Sequence, residues 1–561
     1  MRPSLGETEC TCISDQLIAD LRADAALRRI GHGFSLLRTC SQFLKVFDPS
    51  LKNAASFLQC VSQWVCMGYP DPGLGRLVAC YDKHSRKRLP LVDYVDLRVA
   101  EGMVAMSEGK LDCAVAHFDF VTTVANEIYK PDLLAITNYW KARCLRAMGK
   151  SDEAWEHIMK ARELALESGS IQMDAAFRVL ASVILFEKGD RKSALRSLCE
   201  AAAVLIQTDD YCTLGNIEAT YGRILEEEGQ FGQAIAHFTR ALEQFKRRAS
   251  KRGYVARVLL DISYTRLLVA RDLRRSIDAD SEQRRKGGVQ RQFVSEDATP
   301  SLREELWSLH DEIVRDLDRA AKIYSGRPSG RGLSRVHLYR GYLYLNIGDL
   351  DIAGEHAAKC YALSETNQEL VLMASARNLQ CLVENSRVEE QVEERIDRAL
   401  AAYDFLREAQ ELAKQAKDRK LLAHVYVCSG LTLSNNYFNA PEGAREAMQL
   451  AAKYMEPGDH DVVRQDFDAL QKRLQGNDGM DTRLLSWARG QIGCKTFREL
   501  KEEFADVVIA KTWSMEGQKV SRVASRLAIS PKKVRRVLAR LGLHEARELT
   551  SDGTDRILNH S

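Results

Sequence analysis

A glycine returns every forty residues, at Gly109, Gly149, Gly189 and Gly229, and each opens the link between one helical segment and the next. Fixed columns travel with it. Five residues beyond stand Ala114, Ala154, Ala194 and Ala234, nine beyond Phe118, Ile158, Leu198 and Phe238, and twelve beyond Val121, Ala161, Ala201 and Ala241. Seven residues before stand Gly102, Ala142, Ser182 and Gly222, and four before Ala105, Leu145, Leu185 and Leu225. A fifth copy places Gly341, Tyr344, Gly348, Ala353, Ala357 and Cys360 in the same positions. Small residues at fixed offsets let paired helices approach closely, so the period specifies a stack of helical hairpins in place of one compact core.

The rest of the chain agrees with helices. No proline occurs between Pro131 and Pro300, and only Pro328 and Pro441 lie between Pro300 and Pro457, so long helices are uninterrupted. Ala, Leu, Glu, Arg and Lys recur at helical spacing, as in 138–148 and 153–167, without period-2 runs of β-branched residues. The class expected is all-α. At 561 residues, 45% hydrophobic and 28% charged, the chain is neither disordered nor membrane-spanning in composition. No apolar run approaches 18 residues, and the start of the chain, with two glutamates, has no signal-peptide core, so a cytoplasmic protein is expected. The 14 cysteines are scattered without a C-x-x-C pair and read as reduced core thiols, and Cys10 and Cys12 fall in a frayed terminus.

The column pattern resembles the tetratricopeptide repeat, most strongly over residues 95–250 and 334–365. That resemblance implies a right-handed α-solenoid whose A helices line a concave groove for a peptide or protein partner. The period exceeds the usual 34, so each helix pair is longer by about 9 Å of rise, and such long repeats resemble the sensor domains of large bacterial activators. Residues 1–90 read as an N-terminal helical region of degenerate or capping repeats, and 91–277 as the main array. Residues 278–301, polar, charged and glycine-bearing, read as a mobile loop between the two helices of one repeat, and 302–475 as further repeats. The groove positions that the family implies are Val99, Met103 and Met106; Tyr139, Arg143 and Arg146; Val183 and Phe186; and Arg223 and Glu226. An apolar patch beside three arginines suits a ligand with apolar anchors and a carboxylate; the alternative is that the apolar members pack against neighbouring repeats.

After Gly476-Asn477-Asp478-Gly479 the sequence changes character. An amphipathic helix over 496–513 is followed by a break at 514–517, a short helix over 519–528, a turn at Ile529-Ser530, and a helix over 531–541 with Ser530 as N-cap and Pro531 first. Val523, Ala524, Leu527, Ile529, Val534, Val537 and Leu538 supply the apolar seam. Residues 516–543 hold eight basic side chains against Glu516, a net +7, while the remainder is −4 in a total of +3. That concentration is the footprint of a nucleic-acid binder; a solvated face on a terminal helix is the plainer alternative. The run 517–543 resembles the Fis-type helix-turn-helix, with Ala528 where that family places glycine. The resemblance implies a DNA-binding domain over 478–548, with a flexible tail at 549–561 and a possible homodimer. Ser530, Lys532, Lys533 and Arg536 would face base edges, and Arg522, Arg526, Arg535 and Arg540 the phosphates.

Other signatures fail. Gly149-Lys150-Ser151 follows a helix and lacks the first glycine of a phosphate loop; there is no H-E-x-x-H, His356 beside Glu355 reads as a solvated pair, and no Gly-x-Ser-x-Gly occurs. No enzyme, cofactor, metal or membrane contact is expected. The expectation is a bacterial transcriptional regulator whose solenoid senses a peptide, small ligand or protein partner and whose C-terminal domain holds double-stranded DNA. The alternatives are a scaffold that docks protein with its C-terminal helices, and an RNA-binding adaptor.

Overall fold

The computed structural model describes residues 13–127, 130–247, 252–286, 298–326, 332–390, 394–435, 437–455, 458, 460–476, 496–541 and 543. Among these the protein has helices and no strands, so it is all-α. It divides into two units, Met1–Leu470 and Gln471–Ser561. No helix among the described residues is long and apolar enough to cross a membrane.

The first unit is a solenoid of helical hairpins. Six helices precede the array: α1 (Asp15–Leu27), α2 (Ile30–Thr39), α3 (Ser41–Lys45), α4 (Ala54–Met67), α5 (Leu74–Ala79) and α6 (Lys83–Arg88). The first four hairpins pair α7 (Leu91–Ser107) with α8 (Leu111–Glu127), α9 (Pro131–Ala147) with α10 (Ser151–Glu167), α11 (Ile171–Glu187) with α12 (Arg191–Leu205), and α13 (Tyr211–Glu227) with α14 (Phe231–Lys246). Then come α15 (Arg252–Lys286) with α16 (Ala298–Ser325), α17 (Leu333–Ile347) with α18 (Leu350–Thr366), α19 (Leu370–Glu390) with α20 (Arg395–Ala416), and α21 (Arg419–Leu433) with α22 (Pro441–Tyr454). α23 (Val462–Gly476) follows, and the boundary between the units falls within it. Successive A helices, α9 to α11 to α13 to α15, touch one another more closely than successive B helices, which puts the A helices on the inner, concave side.

The repeat glycines end the A helices. Gly109, Gly149, Gly189, Gly229 and Gly348 have φ of 80°, 78°, 85°, 74° and 96°, the left-handed region that side chains disfavour. The N–H that follows turns back to the carbonyl four residues before the glycine, as from Lys110 to Ala105, Lys150 to Leu145 and Asp190 to Leu185, each at 2.9 Å. The columns at five, nine and twelve residues beyond are wholly buried in every copy.

In the first four copies the column seven residues before the glycine matches its partner by size, whereas in the fifth Gly341 makes room for Leu379 of α19. A Cβ built on Gly102 or Gly222 would lie 2.6 Å from the ring of Phe118 or Phe238, so where helix B carries phenylalanine, helix A must carry glycine. Where helix B carries Ile158 or Leu198, Ala142 or Ser182 stands opposite. A second column escaped the sequence analysis. The residue eight beyond the glycine is histidine in four copies, His117, His157, His237 and His356, and Ser197 in the third; His157 bonds Asn138 of helix A at 2.8 Å, His237 bonds Glu218 at 2.8 Å and His356 bonds His337 at 3.0 Å.

Two expectations are corrected. Residues 278–286 are not loop but the end of α15, and 298–301 begin α16, while 287–297 lie outside the described residues. The run of Ser, Glu, Gln, Arg and Lys lacks an apolar stripe yet keeps good helix propensity, so a helix forms where periodicity gives no sign of one. Residues 13–90 do not carry the columns of the array, because α1 to α6 are short helices around Phe34, Leu37, Phe57, Leu58, Trp64 and Tyr81, a core that Leu97 and Ala100 of α7 complete. The Fis-like domain's expected start, the tail at 549–561, and Cys10 and Cys12 lie outside the described residues.

The second unit comprises α24 (Phe497–Met515), α25 (Val520–Arg526) and α26 (Pro531–Arg540) around Ile509, Trp513, Val523, Ala524, Val534, Val537 and Leu538.

The size match generates a test. Gly222→Ala is expected to lower stability to urea by about 1–3 kcal/mol, and adding Phe238→Ile, which recreates the Ala142 and Ile158 pairing, to recover part of that loss. Purely additive losses in the double-mutant cycle would show that the two columns do not depend on each other.

Candidate functional site

The inner face of the solenoid is partly covered by the chain's own ends. α1 packs on α11, and the turn after α1 reaches the start of α13. There Arg28, 7% exposed, meets Asp210, 2% exposed, at 3.5 Å, and Asp209 accepts hydrogen bonds from the N–H groups of Ile30 and Gly31 at 2.7 and 2.6 Å. A carboxylate at these first amides of α2 is a cap supplied from 179 residues away in sequence. At the other end, α23 crosses the inner face. Asp466 pairs with Arg271 of α15 and with His424 at 3.2 Å, Gln465 donates to the Leu268 carbonyl at 3.0 Å, and Lys420 bridges Asp461 at 2.7 Å.

These covers correct part of the expected groove. Met103 is buried at 2% exposure beneath α4, where Ser62 donates to its sulfur at 3.0 Å, and Val99 and Val183 are buried as well. Met106 and Phe186 are half-buried against apolar clusters of the array. Arg146 is tied to Glu187 at 2.5 Å. Tyr139, Arg143, Arg223 and Glu226 remain on the inner face.

Tyr139 stacks on Phe177, with ring centroids 4.6 Å apart, and Arg143 lies over the Trp140 ring at 4.9 Å while bonding Tyr254. Together with Met173 and Asn216 they line a cavity of about 50 Å³, which Gln63 and Met67 of α4 and the Arg28–Asp210 pair also border. Arg257 lies over the Tyr254 ring at 5.0 Å and donates to Asn216 at 2.9 Å. Among the described residues Arg223 bonds only its own helix, to Ala219 and Thr220, each at 3.4 Å. Burial first, and then the like charge of Arg257, lowers its pKa. Burial pushes the Glu226 carboxyl up to about 8 while Thr265 donates to it, so Glu226 is largely a neutral acid at pH 7. Beyond it, Glu226, Tyr264, Tyr339, Lys420, His424 and Asp461 border a second cavity of about 310 Å³.

Arg257, Asn216 and Tyr254 were not singled out from sequence. α15 is out of step with the repeat: Ala256, the counterpart of Gly215, comes one residue later than the forty-residue spacing requires. Shifting the register by that one residue would have placed Arg257 beneath Asn216 in the inner column.

In the second unit, α24 starts with a capping box in which Thr496 and Glu499 each bond the other's backbone N–H. Its first turns leave Phe497 81% and Phe504 50% exposed, while the core is met by Ile509 and Trp513. α25 and α26 are joined through Ala528, whose φ of 50° takes the left-handed turn that favours glycine, and Ser530 caps α26 by accepting from Lys533 N–H. Ser530, Lys532, Lys533, Arg535, Arg536 and Arg522 are all exposed, as is Lys519. Arg526 pairs with Glu516, and Arg540 with Asp506 and, at 3.5 Å, Glu502. Among the described residues no cluster of three or more His, Cys, Asp or Glu side chains could hold a metal.

No protein-family model matches the chain, and no curated protein matches it in sequence. Solved structures similar to it include a Rap protein complexed with Competence and Sporulation Factor, at 13% identity and TM-score 0.47, covering 71% of this chain and 98% of that one. The apo quorum sensor NprR from B. thuringiensis is 14% identical with TM-score 0.41 over 79% and 98% of the two chains. The P58(IPK) TPR domain is 12% identical with TM-score 0.20 over 68% and 99%. The solenoid assignment rests on this chain's own helices and their pairing.

The ties across the inner face lead to an expected outcome. Asp209→Ala removes the borrowed cap of α2, a loss of about 1–2 kcal/mol in local stability, so amides of α2 should exchange with deuterium faster while those of α17 and α18 do not change. Unchanged exchange in α2 would mean that the N-terminal helices are held on the solenoid by other contacts.

Proposed function

We propose that the protein is a DNA-binding regulator in which the three-helix unit holds duplex DNA and the solenoid senses a ligand or partner on its inner face. The observation that carries the first half is the surface of α25 and α26. Lys519, Arg522, Lys532, Lys533, Arg535 and Arg536 are exposed and have no ion-pair partner among the described residues. A merely solvated helix is normally interspersed with acids, whereas these two short helices carry none. Their left-handed turn at Ala528 and capped second helix fit the helix-turn-helix resemblance, with the start of α26 directed to base edges and Arg522 and Arg535 to phosphates. Arg526 and Arg540 would exchange exposed ion pairs, which contribute little, for phosphate contacts.

The second half is supported by the two inner-face cavities, the first bordered by Arg143 and the second by Glu226, Lys420 and His424. A cytoplasmic bacterial setting and a homodimer belong to the same proposal, which assigns the chain no catalysis. The exposed Phe497 and Phe504 favour one other reading, a scaffold that docks protein through α24.

The test uses the full chain. Replacing Lys532, Lys533 and Arg536 together by alanine should weaken binding to duplex DNA by 30-fold or more at about 100 mM salt with helical content unchanged, since specific base contacts are worth about 1–3 kcal/mol each. Arg522→Ala should weaken binding alike for every sequence. Undiminished duplex binding by the triple variant would exclude this surface as the DNA site.

A further inference from the structure

The larger inner-face cavity, of about 310 Å³, falls within the roughly 300–1,000 Å³ of small-molecule sites. Its charge is one-sided. Glu226, Glu227, Asp418 and Asp461 border it, and Lys420 is the one lysine or arginine among its described lining residues, beside His424 and His460. Three of the carboxylates are committed. Glu227 pairs with Arg191 at 3.0 Å, Asp461 with Lys420 at 2.7 Å, and Asp418 accepts the Leu421 N–H at 2.9 Å as the cap of α21. Glu226 is not: no lysine or arginine lies within ion-pair distance of it among the described residues, and Thr265 gives it a neutral hydroxyl. Arg223, one turn before it on α13, is turned to its own helix.

A second observation comes from α17. Tyr342 borders the same cavity at 5% exposure, and neither its hydroxyl nor that of Tyr339 makes a hydrogen bond among the described residues. Tyr339 stacks on Tyr264, with ring centroids 5.2 Å apart, and the Tyr264 hydroxyl accepts the Val462 N–H at 3.4 Å. A phenol buried without a partner and a carboxyl withdrawn from water without a cation both carry uncompensated desolvation. A primary ammonium satisfies both, because it brings three donors and a positive charge that carboxylates and tyrosine ring faces attract. An anion would meet only the acids. Arg271 lies 6.0 Å from the centre of the Tyr342 ring, but Asp466 pairs with it and neutralises its charge. The remaining wall, including Leu338, Val371, Leu421 and Val462, is apolar and suits a hydrocarbon body.

We propose that this cavity binds a small primary amine, with its ammonium held by Glu226, Tyr339 and Tyr342 and its apolar body against Leu338, Val371 and Leu421. This deepens, and rests on, the sensing half of the proposed function. It names the ligand's class and locates its charge.

The full chain is titrated by calorimetry with 2-phenylethylamine, the neutral 2-phenylethanol and the anionic 3-phenylpropanoate. Saturable binding is expected for the amine, at least tenfold tighter than for the alcohol, with the carboxylate weakest. Glu226→Gln keeps the size of the side chain and an acceptor for Thr265, and Tyr342→Phe removes a hydroxyl alone. Each is expected to weaken amine binding by about tenfold or more, since hydrogen bonds to a charged group are the strong ones, with helical content unchanged. The preference of the native chain for amine over alcohol tests the proposal without any variant. Equal binding of the alcohol, tighter binding of the carboxylate, no saturable binding of the amine, or unaltered amine affinity in both variants overturns it. Alcohol or carboxylate binding that Tyr342→Phe weakens would overturn the amine while leaving a sensing site in this cavity. Duplex binding measured on the same samples separates either failure from that of the DNA-binding half of the regulator reading.

Discussion

The contact on which the solenoid depends is the seating of a large helix B side chain in the space left by a small helix A residue. Phe118 over Gly102 and Phe238 over Gly222 leave no room for a Cβ. The exchange to Ile158 with Ala142 and Leu198 with Ser182 keeps the filled volume nearly constant. Because interiors are packed to crystal-like density, this complementarity sets how closely two helices lie. Repeated at equal intervals, it sets where each inner-face residue falls. The left-handed glycines complete the geometry by turning the chain at the same point of every hairpin.

This local logic explains what was legible in the sequence. Each hairpin is closed by contacts within about forty residues, so its columns appear as a period. The columns five, nine and twelve residues beyond the glycine are buried in every copy, while in the column four before it Leu185, Leu225 and Tyr344 are half-buried, and the C-terminal helices begin and end within two residues of their expected places. What escaped was non-local or out of register. Arg28 and Asp210, or Arg271 and Asp466, are separated by 182 and 195 residues, and nothing in their spacing links them. Met103 sat in a groove column, and only the fold of α1 to α6 shows that α4 covers it. The residues after Ile277 lacked apolar spacing because that stretch is helix without a stripe, a distinction that periodicity cannot draw.

The two units use charge in opposite ways. On the inner face, carboxylates and guanidinium groups are largely paired, and the pairs fasten the chain's ends across the array. On α25 and α26 the cations stand in water with no counter-charge on their own helices, and exposure keeps them free for another polyanion. Ala528 accepts a backbone conformation that glycine takes more easily, at a cost of order 1 kcal/mol, and in return holds the two basic helices at the turn that presents them together.

The most direct measurement is the salt dependence of full-chain binding to duplex and single-stranded DNA. Six cations, Lys519 at the N-cap of α25 and five on α25 and α26, have no ion-pair partner among the described residues and lead to an expected fall of log affinity against log salt with a slope of about −3 to −5 per bound copy, steeper for duplex than for single strand, and with duplex held more tightly. Absence of binding at about 50 mM salt, a slope near zero, or equal affinity for single strands would contradict the account.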